Sequence, residues 1–223
     1  SYISPDVNDM KTAIPFLEGY RRQFQDYPKT VVTDAGYGSY GNYAYAQLHQ
    51  IQAILKYSGY QKKKEKVTEK NQFQLLHMKR NEKGVPVCPQ GYDFEAEKVT
   101  VDMKSGVPRT TIHYRNQHCE GCPLRSRCTT SKKGRSARIS PQLEKYQKQV
   151  DAVLETEEGR KFIAQRSSQA EGAFADIKKN FGYSLLRRRG ESGVKVELGL
   201  VILGYNLRHY HQRKMKTNPD TMN

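Results

Sequence analysis

The fold is decided by the stretch Lys29-Thr30-Val31-Val32-Thr33-Asp34-Ala35-Gly36-Tyr37-Gly38-Ser39. Its β-branched residues predict a short buried strand, and its two glycines predict a tight turn directly after that strand. Residues 40–49 then favour a helix, and the apolar alternation over residues 51–57 favours a second strand. A strand, a helix and a strand within about 30 residues predict a βαβ unit with parallel strands.

Asp34 stands where the first strand of this unit ends. Ligand sites of parallel sheets lie beyond the carboxyl ends of the strands, so Asp34 is a candidate functional residue. The alternative is that its side chain only caps the next helix.

Further helices flank this unit in the sequence. They are predicted over residues 13–26, from Ser140 onward, over about 157–180 with a bend near Ser167, and over about 193–212. Ser140 offers a capping side chain, Pro141 suits the first helical position, and Gly182 suits a helix C-terminus. Residues 198–203 are apolar on all sides of the last helix, so we expect them at the centre of the core.

The segment between these α/β parts is predicted to be rich in β-structure. Val99, Val101 and Met103 alternate along one strand, and the chain turns near residues 104–106 into a second alternating strand. The sequence therefore predicts an α/β core interrupted by a β-rich insertion that contains the cysteines. The predicted divisions are residues 1–57, the insertion at 58–139, the C-terminal helices at 140–213 and a frayed tail at 214–223.

The positive charge of the chain is concentrated after residue 57. The 223 residues carry a net charge of +15, whereas residues 1–57 contain as many acidic as basic side chains. A basic excess of this size favours a nucleic acid partner, and the alternative is a solvated cationic surface. No apolar run approaches the ~20 residues of a transmembrane helix, and the first ten residues do not show the basic and then apolar pattern of a signal peptide.

Four cysteines, Cys88, Cys119, Cys122 and Cys128, lie in the insertion. The spacing of Cys119 and Cys122 is typical of a metal knuckle, and the absence of a secretion signal argues against disulfides. We predict a structural Zn²⁺ held by the four thiolates, or by three of them with His118 or His113. The alternative is four unliganded thiols.

Glu171 is the second candidate carboxylate. On a helix it shares a face with Lys178, and small residues flank it at Ala170, Gly172 and Ala173. The alternative is an ordinary exposed glutamate. Carboxylates from a strand end and a helix suit two-metal phosphoryl transfer, because Mg²⁺ and similar ions take carboxylate oxygens as ligands.

Five segments resemble motifs of the DDE transposases of bacterial insertion sequences. The second-aspartate motif of that family is similar to residues 31–39, quoted above, and its glutamate motif is similar to Ala170-Glu171-Gly172-Ala173-Phe174-Ala175-Asp176-Ile177-Lys178-Lys179-Asn180. The segments that follow the glutamate resemble Leu186-Arg187-Arg188-Arg189-Gly190 and Leu200-Val201-Ile202-Leu203-Gly204-Tyr205-Asn206-Leu207-Arg208. The cysteine segment resembles Cys119-Glu120-Gly121-Cys122-Pro123-Leu124-Arg125-Ser126-Arg127-Cys128. Five motifs in this order, over roughly residues 5–212, identify the chain as a member of this family.

The resemblance implies a ribonuclease-H-like fold, here a partial one, and DNA cleavage and strand transfer that depend on Mg²⁺ or Mn²⁺. It implies that Asp34 is the second catalytic aspartate, that Glu171 is the catalytic glutamate, and that both hold the metal ions. Lys178 matches a basic residue that contacts DNA near the cut end. The implied partners are the double-stranded DNA of transposon ends and target and a second copy in a homodimer, at the nucleoid in the bacterial cytoplasm.

The first catalytic aspartate of the family has no match in this sequence. Residues 1–33 offer Asp6, Asp9 and Asp26, none of them on a predicted strand, and the chain begins with Ser1. We therefore expect the C-terminal part of a transposase, inactive by itself. One alternative is a non-catalytic, zinc-stabilised DNA-binding remnant, and another is a nuclease without transposition activity.

Three consecutive arginines, Arg187, Arg188 and Arg189, precede Gly190. They cannot all face inward, and guanidinium groups match phosphate oxygens bidentately, so we predict DNA contacts, against the alternative of a solvated turn. The further basic residues that could extend this surface are Lys62 to Lys66, Arg125, Arg127, Lys132, Lys133 and Arg135.

Overall fold

Residues 9–168, 172–183 and 185–217 are described by the structure, which is a computed structural model. They belong to two compact units that divide between Arg160 and Lys161. The first unit covers residues 9–160 and the second covers the described residues from 161 onward. The fourfold division of the sequence stays a prediction.

The first unit contains most of the secondary structure. In chain order its elements are α1 (Ala13–Phe24), β1 (Thr30–Thr33), α2 (Tyr40–Leu48), β2 (Gln52–Leu55), α3 (Tyr60–Lys64), β3 (Lys79–Arg80), β4 (Pro86–Val87), β5 (Glu95–Lys104), β6 (Val107–Arg115), α4 (Arg125–Cys128), β7 (Ser136–Ile139) and α5 (Pro141–Glu155). Short 3-10 turns lie at Asp9–Lys11 and Ala35–Tyr37. Helix α6 (Glu157–Arg166) begins in this unit and ends in the second, where α7 (Gly172–Ala175), a π-helical turn (Asp176–Asn180) and α8 (Glu191–Thr217) follow.

The predicted βαβ unit is confirmed. Strands β1 and β2 pair in parallel, with Val31 opposite Ala53 and Val32 opposite Ile54, and α2 connects them. Helix α2 is buried from Tyr40 to Ala46, as expected of a crossover helix that covers its own strands. The α/β fold class is therefore present, and the ribonuclease-H-like core remains a prediction.

Helix α5 packs on this unit through its buried residues Tyr146, Val150 and Leu154. The ring of Tyr146 stacks on that of Tyr43 of α2, with 5.6 Å between ring centroids. The helix begins at Pro141 as predicted, but the side chain of Ser140 makes no capping hydrogen bond. Ser140 occupies the N-cap position as predicted, but its hydroxyl is buried without a partner among the described residues, so the expected capping hydrogen bond is absent.

The predicted hairpin is also confirmed. Strands β5 and β6 pair antiparallel, with Val101 opposite Thr110, and β7 adds to the free side of β6. Ser105 and Gly106 join the strands with φ values of 50° and 77°, and two positive φ values are typical of the tight hairpin turn whose twist matches the strands. One side of this sheet covers a core cluster of Met78, Phe94, Tyr114, Ala137 and Ile139.

Helix α8 is longer than predicted and more exposed. The side chains of Leu200 and Leu203 are 65% and 55% exposed, so the prediction that residues 198–203 form the centre of the core is wrong. Within its unit α8 contacts the turn after α7, where the rings of Phe181 and Tyr205 lie 6.4 Å apart. These contacts involve one side of α8, whereas its apolar residues face all directions. Several of those residues therefore stay exposed. In the described part of the chain, no helix is long and apolar enough to cross a membrane.

A carboxylate network connects α1 to α2. The hydroxyls of Tyr27 and Tyr45 both donate to Glu18 Oε1, and Arg21 pairs with the same carboxylate at 3.2 Å. The hydrogen bond from Tyr45, followed by that from Tyr27, lowers the pKa of Glu18 to about 2.

We predict that this network makes the free energy of unfolding depend on pH between about 4.5 and 2. Because the folded-state pKa lies below the ordinary value, the ionised carboxylate stabilises the fold above this window, and that stabilisation is lost as the pH falls through it. Glu18→Gln should flatten the pH dependence in urea unfolding, whereas the control Glu82→Gln, on an exposed turn, should not. Equal pH slopes in the wild type and Glu18→Gln would contradict the prediction.

Candidate functional site

Asp34 directly follows β1, at the carboxyl end of a parallel strand. Its Oδ1 accepts a hydrogen bond from the backbone N–H of Gly36 at 3.0 Å, so the side chain also caps the short turn at Ala35–Tyr37. Asp34 is half-buried. Asp34 thus lies where a ligand site is expected, and its side chain also caps the turn, as the alternative required. The capping bond fixes the direction of one carboxylate oxygen.

Asp9 lies beside this turn. A Cβ placed on Gly36 would be 3.2 Å from Asp34 Oδ1 and 3.7 Å from Asp9 Oδ2, so the two carboxylates border the same small space. The side chain of Asn42 holds the two segments together, because its amide donates to the carbonyls of Met10 at 3.0 Å and Tyr37 at 2.8 Å. Sequence patterns gave no signal for this proximity, because Asp9 lies on no strand and the contact depends on one buried amide.

Gly38 allows the turn to pass directly over the end of β2. A Cβ at this position would lie 2.3 Å from the carbonyl oxygen of Lys56 and 2.6 Å from the Cα of Tyr57. Both are backbone atoms, which cannot rotate away as the end of a side chain can. The second glycine of the motif is therefore required by packing, and it sets how closely the Asp34 turn approaches β2.

Glu171, the second predicted metal ligand, lies outside the described residues. Lys178 lies in the π-helical turn at Asp176–Asn180 with its side chain exposed. Gly182 follows this turn with a φ of 63°, which confirms the predicted helix end.

Arg187, Arg188 and Arg189 lie on an irregular segment just before α8, and all three are exposed. Within the described part of the chain, none of their guanidinium groups has a hydrogen bond or an ion pair. Their exposure leaves the side chains accessible to solvent, and their predicted contact with DNA stays a prediction.

The structure brings the four cysteines to one cavity. Cys88, Cys119, Cys122 and Cys128 all line a cavity of about 20 Å³ in the first unit, together with His118 and Asn116. Cys88 follows β4, Cys119 and Cys122 flank a turn with Gly121 at a φ of 67°, and Cys128 ends α4. The cysteines are free thiols. Their convergence was predicted from the spacing, although Cys88 is 31 positions from its nearest neighbour in sequence.

Groups around the cavity interact with the thiols, and at Cys128 they shift the pKa in opposite directions. The backbone N–H of Arg135 donates to Cys119 Sγ at 3.3 Å. Burial raises the pKa of the Cys128 thiol, the Arg135 guanidinium opposes that rise, and the other three thiols add to it.

No preassembled metal site exists among the described residues, since no three His, Cys, Asp or Glu side chains are arranged to hold an ion. The two candidate histidines differ in place. His118 lines the cysteine cavity and stacks on Tyr92 with 4.4 Å between ring centroids. His113 is not among the residues that line the cavity, and its Nε2 is hydrogen-bonded to the Thr100 hydroxyl at 3.0 Å on the neighbouring strand.

Several basic residues predicted to extend a DNA surface have partners within the protein. Arg125 donates to the carbonyls of Cys119, Ser131 and Lys132, and Arg135 donates to those of Cys128 and Phe73. Arg127 pairs with Glu69 at 3.3 Å. These guanidinium groups brace the loops around the cysteine cavity, and their predicted contacts with DNA stay a prediction.

Comparison with known protein families assigns the chain. The family described as Transposase DDE domain matches residues 87–211, more than half of the sequence. The chain belongs to this transposase family. The matched region includes the cysteines, Glu171, Lys178 and the three arginines, and it begins after Asp34. No curated protein and no solved structure matches the chain.

Membership in the transposase family confirms the resemblance drawn from the motifs. It points to transposition as the function, to DNA as the substrate and to a divalent metal ion as the cofactor class of the family. The roles of individual residues remain predictions.

Proposed function

We propose that this protein is a DNA transposase that cleaves transposon ends and transfers the strands to a target duplex in a reaction that depends on Mg²⁺ or Mn²⁺. The observation that carries this proposal is the family match over residues 87–211. The position of Asp34 at the carboxyl end of a parallel strand supports it independently, because that position lies outside the matched region.

Asp34 and Glu171 are the proposed metal ligands in the complete enzyme. Asp34 suits this role, because the Gly36 N–H orients one oxygen of its carboxylate and hard divalent cations take carboxylate oxygens. Two such ions, when bound, stabilise the attacking and leaving oxygens of an in-line displacement at phosphorus. The protein's own contribution is to fix the Asp34 carboxylate at the end of β1 and to hold the DNA.

DNA is the proposed partner of the basic residues of the second unit. Lys178 and Arg187 to Arg189 are exposed there, and the guanidinium groups have the planar donor pattern that fits phosphate. We propose a homodimer on paired transposon ends, acting at the bacterial nucleoid, on the basis of family resemblance.

The chain of 223 residues is proposed to lack catalysis by itself. The family resemblance requires three carboxylates, and only Asp34 and Glu171 match the motifs. The competing proposal is a non-catalytic DNA-binding remnant that zinc stabilises. The cavity lined by four cysteines supports it, because a zinc ion bound there would stabilise the fold.

The test combines duplex binding and strand cleavage with and without Mn²⁺, using the wild type, Asp34→Asn and Glu171→Gln. For a transposase, Mn²⁺ should tighten duplex binding, and each variant should lose this effect. A duplex affinity that changes neither with Mn²⁺ nor with either substitution would favour the non-catalytic remnant. Cleavage by the wild-type chain that Glu171→Gln abolishes would overturn the proposed inactivity while supporting the transposase.

A structural Zn²⁺ is proposed for the cysteine cavity. Thiolates in sets of four are typical ligands of structural zinc, and all four cysteines of the chain line this one cavity. The Arg135 N–H bond to Cys119 Sγ supports the proposal, because backbone donors stabilise thiolate sulfur. Binding would draw the thiols closer together than they now lie.

We predict about one zinc per chain after chelator-free purification, measured by elemental analysis. Cys122→Ser should lose the metal and lower the thermal midpoint, and a strong chelator should do the same to the wild type. His113→Ala is the control, because that ring does not line the cavity, and it should keep the metal. Less than ~0.3 zinc per wild-type chain would contradict the proposal.

A further inference from the structure

One carboxylate in the second unit holds the segment that carries the three arginines. Glu197, on α8, accepts the backbone N–H of Arg187 on Oε1 at 2.8 Å and that of Arg188 on Oε2 at 2.7 Å. The hydroxyl of Tyr183 donates to the same Oε1. Both carboxylate oxygens are thus occupied by donors from the segment between the π-helical turn and α8.

The carboxylate acts on the backbone of this segment and forms no ion pair with a guanidinium in the described part of the chain. The hydrogen bond from Tyr183, followed by those from the two backbone N–H groups, lowers the pKa of Glu197. The charge of Arg188 attracts the carboxylate electrostatically and contributes the smallest part of this pKa lowering, so the main effect of Glu197 is on the backbone of the segment.

The segment also packs closely on the first turn of α8. A Cβ on Gly193 would lie 3.2 Å from Arg188 Cβ, and Gly190 adopts a φ of 76° just before the helix. Backbone hydrogen bonds to Glu197 and this close approach together fix where the three side chains leave the backbone. A segment fixed in this way loses less conformational entropy when it binds a partner.

We propose that Glu197 is a positioning residue that presents Arg187, Arg188 and Arg189 to the phosphates of DNA. The inference rests on the proposed function, because it takes DNA as the partner. Arginine binds phosphate best when its planar donors are aimed in advance, and a carboxylate that accepts two backbone N–H groups of the same segment provides that aim.

Plain electrostatics predicts the opposite effect of removing this acid. A glutamate beside a DNA-binding surface repels phosphate, so neutralising it should tighten binding. If Glu197 positions the arginines, Glu197→Gln should instead weaken binding, because the amide keeps one acceptor oxygen and replaces the other with an NH2 donor beside a backbone N–H that needs an acceptor. The sign of the change therefore separates the two explanations.

The experiment measures binding of a fluorescent 30-base-pair duplex over a salt series. We expect Glu197→Gln to weaken binding roughly three- to tenfold and to reduce the slope of log affinity against log salt by about 1. The matched control is Glu191→Gln, which removes the same charge from the same helix; among the described residues, the Glu191 carboxylate pairs with Lys195 alone. It should leave the affinity unchanged or slightly increased. Tyr183→Phe, which removes one donor and keeps the carboxylate, should give a smaller loss than Glu197→Gln.

A second experiment tests whether Glu197 acts through the three arginines. Glu197→Gln is introduced into a variant in which Arg187, Arg188 and Arg189 are already replaced by alanine. We expect Glu197→Gln to have no further effect there, because coupled residues are not additive. An equal loss in both backgrounds would assign Glu197 a structural role only and overturn the inference. Binding by Glu197→Gln as tight as or tighter than that of Glu191→Gln would also overturn it.

Failure of the proposed function looks different. A wild-type chain that does not bind the duplex at low salt would overturn the DNA partner, and the positioning role with it. Wild-type binding combined with an unchanged affinity in Glu197→Gln would overturn the positioning role alone. Amide exchange at Arg187 and Arg188 checks the geometry in every case, since it should be faster in Glu197→Gln than in the control.

Discussion

Replacing Gly38 by alanine should destabilise the first unit by about 3 kcal/mol or more, at the upper end of the cost of overpacking. The added methyl group would lie 2.3 Å from the Lys56 carbonyl oxygen and 2.6 Å from the Tyr57 Cα. The φ and ψ of Gly38 are −72° and 70°, the values of an inverse γ-turn, which the Ser39 N–H closes by donating to the Tyr37 carbonyl. Residues other than glycine adopt this conformation, so the contact decides the effect. Relief would require the Asp34 turn to move away from the end of β2.

The matched control is Gly19→Ala, in the same unit. Gly19 lies in the interior of α1, and a Cβ there would meet only the end of the Arg22 side chain at 3.9 Å. Alanine should therefore stabilise this helix by up to ~1 kcal/mol. Urea unfolding of both variants measures the contrast. A Gly38→Ala protein as stable as the wild type would contradict the close approach described for this turn.

Replacing Arg187, Arg188 and Arg189 together by alanine should reduce duplex affinity at least tenfold at low salt. If each contacts one phosphate, the slope of log affinity against log salt should become shallower by about 2.7, since each neutralised phosphate contributes about 0.9. The measurement is duplex binding over a salt series, in which the slope counts phosphate contacts independently of the absolute affinity.

A triple alanine variant at Lys145, Lys148 and Arg160 removes the same charge from exposed positions of α5 and α6. It controls for net charge, because long-range attraction alone would weaken both variants equally. We expect a clearly smaller change in slope for this control. Equal slopes in the two triple variants would show that the arginine segment makes no specific phosphate contact.

The parts of the fold that could be predicted depend on local patterns. The β-branched residues of β1, the alternation in β5 and β6 and the position of Gly182 each act over a few residues, and each element was found where it was expected. The four cysteines line one cavity, as a shared zinc site would require, although only Cys119 and Cys122 have the spacing of a metal knuckle.

The remaining features depend on contacts between distant residues, which the sequence pattern does not encode. Serine is a typical capping residue, yet the Ser140 hydroxyl makes no capping hydrogen bond and is buried. The apolar residues of α8 favoured a buried helix, but an apolar segment is buried only where another element covers it. Glu197 resembles any helical glutamate in sequence, and only the structure shows that it accepts hydrogen bonds from residues nine and ten positions earlier.

The candidate site shows the same division. Asp34 was predicted from the end of a strand and the glycine turn, and the structure places it there. The approach of Asp9 to the same turn depends on the two hydrogen bonds of Asn42 and had no sequence signal. Arg125 and Arg135 looked like surface charges in sequence, whereas their donors are taken by backbone carbonyls around the cysteine cavity.

We propose that Asp34 and Glu171 together hold a divalent ion in the complete enzyme. The most direct measurement is a crystal structure of the chain grown with Mn²⁺ and a short duplex, with anomalous scattering used to locate the ion. We predict an Mn²⁺ peak within coordination distance of both carboxylates, and no peak at that place in Glu171→Gln crystals. Carboxylates on separate surfaces, with no ion between them, would contradict the assignment of a shared metal site.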